Sequence, residues 1–447
     1  MSIVRIGAGA GFQGDRIDPA VDLAKRGELD FLVFECLAER TIALAQQAKL
    51  LNPAHGYDPL LERRLRAVLP HCVRSGTRIV TNMGAANPRA AAKRTKSIAA
   101  ELGLTDLKVA AVLGDDVLDQ IASQVLDETG QRADALGDRL VSANAYIGVA
   151  AIVEALDHGA DIVICGRASD PALFLAPLIH RFGWAMDDWM RLGRGTLVGH
   201  LLECAAQVTG GYFADPGVKE VPGLSQLGFP IAEVSPDGNA VITKLPQTGG
   251  MVTRATCAEQ MLYEIHDPAR YYQPDVIADF SQVTLEEIGR DRVAVRNASG
   301  HAATGSLKVS VGYRDGWLGE GQISYAGSNC VGRGELAGAI LRERLLDARN
   351  SILEDRVDLI GLNSISAGRV NTTAPSEIRL RYVARCSDRE TAARIGEEVE
   401  GLYLNGPAGG GGVFSSVREI IGIASTLLEA AKVTPSIEFM EIPHEVA

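Results

Sequence analysis

Aromatic residues are scarce at 5% of the chain, with three tryptophans, ten tyrosines and ten phenylalanines. Such a sequence suits an all-β sandwich poorly, and its 48 glycines point to an α/β protein with tight turns and close backbone approaches. Cysteine offers no framework. Cys36, Cys72, Cys165, Cys204, Cys257, Cys330 and Cys386 are scattered, odd in number and never spaced C-x-x-C, so a disulfide scaffold and a structural zinc site are poorly supported. No apolar run of about 18 residues or more occurs, and no signal-type segment precedes the strand-like run Ile3–Ile6. The expectation is a cytoplasmic protein with no membrane partner. Positive charge is in deficit too: 44 basic against 56 acidic residues give a net charge of −12, which disfavours nucleic acid as a partner.

What is present is ample apolar material, 46% of 447 residues, and a regular alternation. Short apolar runs at 3–6, 30–34, 78–81, 108–113, 138–142 and 161–165 each end in glycine or polar residues. Such runs are what a parallel sheet buried on both faces requires. Helix-period segments separate them. Asp58-Pro59 opens one that carries Leu61, Leu65, Val68 and Leu69 on one face, and Val149, Ile152, Val153 and Leu156 line another. The fold expected is α/β: a doubly wound, mostly parallel N-terminal sheet over 1–212, then a smaller α+β domain over 213–447. Gly210-Gly211, Pro216, Pro222 and Gly223 suggest the boundary, and Asp237-Gly238 marks a hairpin beyond it.

In such sheets ligands bind beyond the carboxyl ends of the strands. That edge would carry Glu35 and Glu39, Asn82 and Asn87, Asp115 and Asp116, Asn144, and Arg167 with Asp170. A ligand cleft is the favoured reading, although Asp115 and Asp170 serve at least as well as helix caps. Arg167 directly follows a buried strand, and its fork suits a carboxylate or phosphate.

The opening segment Gly7-Ala-Gly-Ala-Gly-Phe-Gln-Gly-Asp-Arg16 fails the dinucleotide pattern, because Phe12 replaces the third glycine. It fails the P-loop pattern too, since Asp15-Arg16 follows Gly14. Gly9, Gly11 and Arg16 could still cradle an anion; a tight turn without ligand explains them equally well. Gly249 and Gly250, and Gly410 and Gly411 within a four-glycine run, are further backbone cups of the same ambiguous kind.

The segment Gly199–Gln207 is more pointed. At helical spacing His200, Glu203, Cys204 and Gln207 share one stripe, beside an apolar face of Leu197, Leu201, Ala205 and Val208. A base or acid can be presented this way; so can a solvent-facing or hydrogen-bonded stripe. H-x-x-E occurs once, too few for a dimetal bundle, so no metal ligands are assigned. Glu35, His200 and Glu203 are the catalytic candidates.

Several blocks together resemble the acyclic terpene utilisation (AtuA-like) family, formerly a domain of unknown function. They are 7–16, 30–41, 199–211, 243–253 (Thr-Lys-Leu-Pro-Gln-Thr-Gly-Gly-Met-Val-Thr), 259–268 and 406–412. The resemblance implies a part in catabolism of citronellol- and geraniol-type terpenes. It also implies an enzyme acting on a branched acyl-CoA or related carboxylate, such as a carbon–carbon lyase on a branched 3-hydroxyglutaryl-CoA. The alternative is a non-catalytic binding or assembly subunit beside a carboxylase or lyase. The substrate would be a small anion or CoA thioester. No other cofactor is assigned, and homo-oligomers are common in this class of protein.

Overall fold

The computed structural model describes residues 3–365 and 375–441. Unit 1 comprises the chain up to residue 312 and from 423 onward, and unit 2 comprises 313–422. In unit 1, β1 (Val4–Ala10), α1 (Asp18–Arg26), β2 (Phe31–Phe34), α2 (Glu39–Leu51), α3 (Leu61–Ser75), β3 (Arg78–Thr81), α4 (Pro88–Glu101) and β4 (Val109–Leu113) alternate. Then come β5 (Leu140–Ala145), α5 (Ala150–Asp157), β6 (Ile162–Cys165), α6 (Ala172–Phe182) and α7 (Trp189–Glu203). After residue 229 follow β7 (Pro230–Val234), β8 (Ala240–Lys244), α8 (Arg254–Leu262), β9 (Tyr271–Tyr272), β10 (Ile277–Asp279), β11 (Thr284–Gly289), β12 (Arg292–Arg296) and β13 (Ser299–His301).

The main sheet is mixed, not mostly parallel. With β18 (Ser436–Phe439) at one edge, its order is β11-β12-β8-β7-β1-β2-β3-β6-β4-β18. The central run β1-β2-β3-β6-β4 is parallel, and antiparallel strands extend both sides. Helices meet it in two groups: α1, α3 and α4 touch in succession, as do α5, α6 and α7. A helix of each group lies against β1 and β2, which is why Ile6, Leu32 and Val33 are fully buried.

Three sequence expectations change here. The run near 140 forms β5, but it leaves the parallel sheet and pairs with β14 (Ser306–Ala326). Nor does the chain divide at 212. β7 pairs with β1, and β8 pairs with β7, so the hairpin extends the first sheet instead of starting a second core. The Gly- and Pro-rich stretch before it is a surface connection. Finally, Gly7 and Gly9 lie within β1, not in a loop. A Cβ on Gly9 would stand 2.6 Å from the Phe34 ring, so glycine there admits an aromatic neighbour.

Unit 2 runs the part of β14 after residue 312, α9 (Cys330–Arg344), β15 (Ile352–Ile360), β16 (Glu377–Cys386), α10 (Arg389–Asn405) and β17 (Gly411–Glu429) up to residue 422. The strand order β15-β16-β14-β17 makes this a βαββαβ unit of the ferredoxin-like kind. Both helices lie against β16. Ile323, Leu341, Leu380, Tyr382, Ile395 and Val399 form the core between them. Along β16 buried Ile378, Leu380 and Tyr382 alternate with Arg379 and Arg381, as period-2 geometry demands. No helix among the described residues is long and apolar enough to cross a membrane.

Candidate functional site

The parallel strands deliver polar residues to one edge of unit 1. Glu35 follows β2, Asn82 follows β3, Asp115 follows β4 beyond Gly114, and Arg167 follows β6 beyond Gly166. Asn82 ties two of these turns together. Its Oδ1 accepts from Cys36 N at 2.8 Å, and its Nδ2 donates to Glu35 Oε1 at 2.8 Å. Leu37 N donates to the same carboxylate oxygen at 2.9 Å. Asp115 Oδ2 accepts from Arg167 N at 2.8 Å and from Asn144 Nδ2 at 3.0 Å.

Helix α7 brings the second half of the site. Asp188 caps it by accepting from Arg191 N. Glycines then let the helix sink into the unit. A Cβ at Gly193 would strike Ser299 O, and one at Gly199 would lie 2.7 Å from Pro171 Cα. The last turn therefore carries His200 and Glu203 into the interior, with side chains 1% and 10% exposed. His200 Nδ1 lies 2.8 Å from Glu203 Oε1. Tyr271 and Phe280 cover the imidazole, with ring centroids 5.2 and 6.1 Å away. Gln260 Nε2 donates to His200 O at 2.9 Å. Three atoms around this pair, His200 Nε2, Glu203 Oε2 and Gln260 Oε1, are buried without a hydrogen-bond partner among the described residues. Buried polar atoms are ordinarily satisfied, so three together make this pair a candidate for polar ligand contacts.

Burial sets the electrostatics. Desolvation pushes the Glu35 carboxyl up to about 7, even though Arg167 and the two hydrogen bonds favour its charge; Glu203 nearby adds repulsion. Burial also raises Glu203, against the pull of His200. Four residues beyond Glu35, the burial of Glu39 is outweighed by hydrogen bonds from Tyr146 and Lys308, and its carboxyl falls to about 2. Environment thus splits neighbouring carboxyls into one that titrates near neutrality and one that stays ionised. Burial alone dominates Asp115, pushed up to about 6.

Glu35, Asn82, Asn144, Arg167, Asp170, His200 and Glu203 therefore belong to one connected region. Arg167 is 1% exposed and fully engaged there. Its guanidinium donates to Leu37 O, Ala168 O and Asp170, and stacks 4.2 Å over the Tyr146 ring. In this arrangement it holds the protein's own loops. Gly11 abuts α7's end, where a Cβ would come 2.5 Å from the Cys204 carbonyl carbon. Cys204 and Gln207 leave the helical stripe, because α7 stops at Glu203 and Ala205 turns to φ 41°.

Other candidates lie elsewhere. Asn87 caps α4, accepting from Ala90 N and donating to Pro53 O and His55 O. Arg16 pairs with Asp18 and lines a cavity of about 260 Å³ with Arg26, Gln226, Leu245 and Thr248. Gly249 packs on Gly223 O, and Gly250 at φ 84° packs on Thr209 O. Gly410 and Gly411 are in unit 2. Among the described residues no group of three or more His, Cys, Asp or Glu is placed to hold a metal.

Tyr146, Gln260, Tyr271 and Phe280 were not legible as site residues. Each is brought in from a distant segment, and nothing local distinguishes it. Arg64, on α3, is fully buried. It reaches Asp58 at 3.1 Å and donates to Phe12 O and Gln13 O, pinning the loop after β1.

No curated protein and no solved structure gives a significant match. The family comparison is decisive by its extent: residues 4–439 match the acyclic terpene utilisation family protein AtuA, and the chain belongs to that family.

Proposed function

We propose that unit 1 carries an acid–base site that transforms a branched acyl-CoA or related carboxylate in acyclic terpene utilisation, by carbon–carbon cleavage of a 3-hydroxyacyl thioester. The carrying observation is the pairing of a neutral-range Glu35 with a buried His200–Glu203 dyad whose outward atoms lack partners among the described residues. With Nδ1–H donated to Glu203, the His200 Nε2 atom is the acceptor, a tautomer assigned from the hydrogen-bond network. It takes the proton of the 3-hydroxyl as the adjacent carbon–carbon bond breaks. The electron pair moves onto the thioester enolate, and protonated Glu35 delivers a proton there. Two products leave, a carbonyl compound and a shortened acyl thioester. Arg167 and Asn82 hold the loop bearing Glu35, so both act as positioning residues.

The test is turnover of 3-hydroxyacyl-CoA substrates by the purified chain, wild type against Glu203→Gln. Cleavage by the wild type and its loss in the variant support the reading. No turnover by the chain alone, with turnover restored on adding a carboxylase or lyase partner even for Glu203→Gln, favours the assembly-subunit alternative.

A further inference from the structure

Unit 2 carries a polar feature that the acid–base site does not use, the glycine segment Gly409–Gly412 where the chain turns after α10 and enters β17. Arg333, in the first turn of α9, lies on one side. A Cβ at Gly409 would stand 3.0 Å from Arg333 Nη1, and that atom donates to Ala408 O at 2.7 Å. Arg379 of β16 lies on the other side, with Nη1 3.7 Å from where a Gly412 Cβ would be. Gly409 and Gly412 take φ of 73° and 66°, backbone that favours glycine.

Among the described residues neither cation contacts a carboxylate. Along the same face of β16, Arg381 holds Glu320 at 2.7 Å and Asp358 at 3.2 Å, and Arg385 holds Asp315 at 3.3 Å. Arg379 instead donates to two neutral oxygens, Gln322 Oε1 and Ser324 Oγ. Arg333 donates to the carbonyls of Ala326, Ser328 and Ala408 and lies over the Tyr325 ring at 5.8 Å. The first turn of α9 contains no acidic residue, and its N-cap Asn329 makes no side-chain cap bond.

An independent observation points to a ligand. Tyr325 is fully buried, and among the described residues its hydroxyl has no hydrogen-bond partner. That hydroxyl is aimed at the turn, 3.3 Å from the position of a Gly410 Cβ. A buried hydroxyl without a partner is destabilising, and a ligand oxygen would relieve it.

We propose that the Gly409–Gly412 turn binds a phosphate group between Arg333 and Arg379, with the Tyr325 hydroxyl as a further donor. Tetrahedral oxyanions suit this set: glycine N–H groups, an uncapped helix start and two guanidinium forks. The phosphate is either free or part of a phosphate ester. The site uses no residue of unit 1, so its success or failure is read independently of the acid–base reading.

The experiment is calorimetric titration of the full chain at low salt with inorganic phosphate and with adenosine monophosphate, with acetate as the carboxylate control. Saturable binding of either phosphate probe is expected, tighter than acetate. Arg379→Gln should weaken it roughly tenfold or more, as loss of a charge-assisted contact does. Tyr325→Phe, which keeps the core ring, should weaken it to a smaller degree. Arg16→Gln, at the unit 1 cavity, should leave it unchanged. A preference for adenosine monophosphate assigns the phosphate to an ester; equal binding or a preference for inorganic phosphate assigns it to the free ion. Absence of saturable binding, unchanged affinity in Arg379→Gln, or loss in Arg16→Gln overturns the proposal.

Discussion

His200 Nδ1 and Glu203 Oε1 stand 2.8 Å apart inside unit 1, while the opposite atoms of both side chains, Nε2 and Oε2, have no hydrogen-bond partner among the described residues. One turn of α7 sets the i, i+3 contact, and the glycines of that helix let it be buried. A pair serving only stability would be expected to satisfy its outer atoms as well.

Glu203→Gln keeps size and hydrogen bonding but removes the titratable group. Loss of a positioned proton-transfer partner should lower turnover by about 100-fold or more. The urea midpoint should shift little, because a neutral amide replaces a carboxyl that burial already disfavours in its charged form. Turnover within a few-fold of wild type would remove Glu203 from the mechanism.

Glu35 makes stability pH-dependent. Its carboxyl titrates near 7 in the folded chain against 4.5 in the unfolded chain. Between those values the folded state binds the extra proton, so its contribution is complete at low pH and is lost as pH rises through about 7. The loss is on the order of 3 kcal/mol at most. Glu35→Gln should match wild-type stability near pH 5 and exceed it near pH 8, measured by urea unfolding at both. An equal difference at the two pH values would show that Glu35 does not titrate in this range.

Arg64 and Asp58 form a buried ion pair, with side chains 0% and 2% exposed. Removing one partner leaves the other charge unpaired, at a cost of about 3–5 kcal/mol. Arg64→Ala should therefore lower the unfolding free energy by that order and free the loop at Phe12 and Gln13, seen as faster amide exchange there. A loss below about 1 kcal/mol, typical of an exposed pair, would contradict the buried assignment.

Gly11→Ala drives a methyl to within 2.5 Å of the Cys204 backbone, directly after the dyad. Overpacking of this sort costs about 1–3 kcal/mol, and here it should depress turnover as well. Beyond its chain neighbours, Gly411 has no atom of the described residues within 4 Å of its Cβ position, so Gly411→Ala should be nearly neutral for stability. Thermal unfolding of the two variants side by side checks the contrast; equal losses would refute the close approach at Gly11.

Much of the local structure was readable. Strands at 31–34, 78–81, 109–113 and 162–165, and the hairpin around Asp237-Gly238, lie where apolar runs and turn residues place them. The edge carrying Glu35, Asn82 and Arg167 was readable because strand ends in a parallel sheet must converge. Gln207 was misplaced, since helical spacing holds only while the helix continues, and α7 ends at Glu203. Asn87 was taken for a ligand contact when Asn followed by Pro88 already describes a helix cap.

Hydrophobic period, turn residues and the long shared blocks act within a few residues of one another, or along the whole chain by likeness. From these the sequence alone determined the α/β class, the family, and the candidacy of Glu35, His200 and Glu203. Pairing partners and burial arise between segments far apart in the chain, and only the tertiary structure decided them. It moved β5 out of the main sheet, joined β7 and β8 to β1, and set Tyr271 and Phe280 over His200. The same burial separates the titration of Glu35 from that of Glu39, because desolvation and hydrogen bonding depend on what surrounds a carboxyl in space.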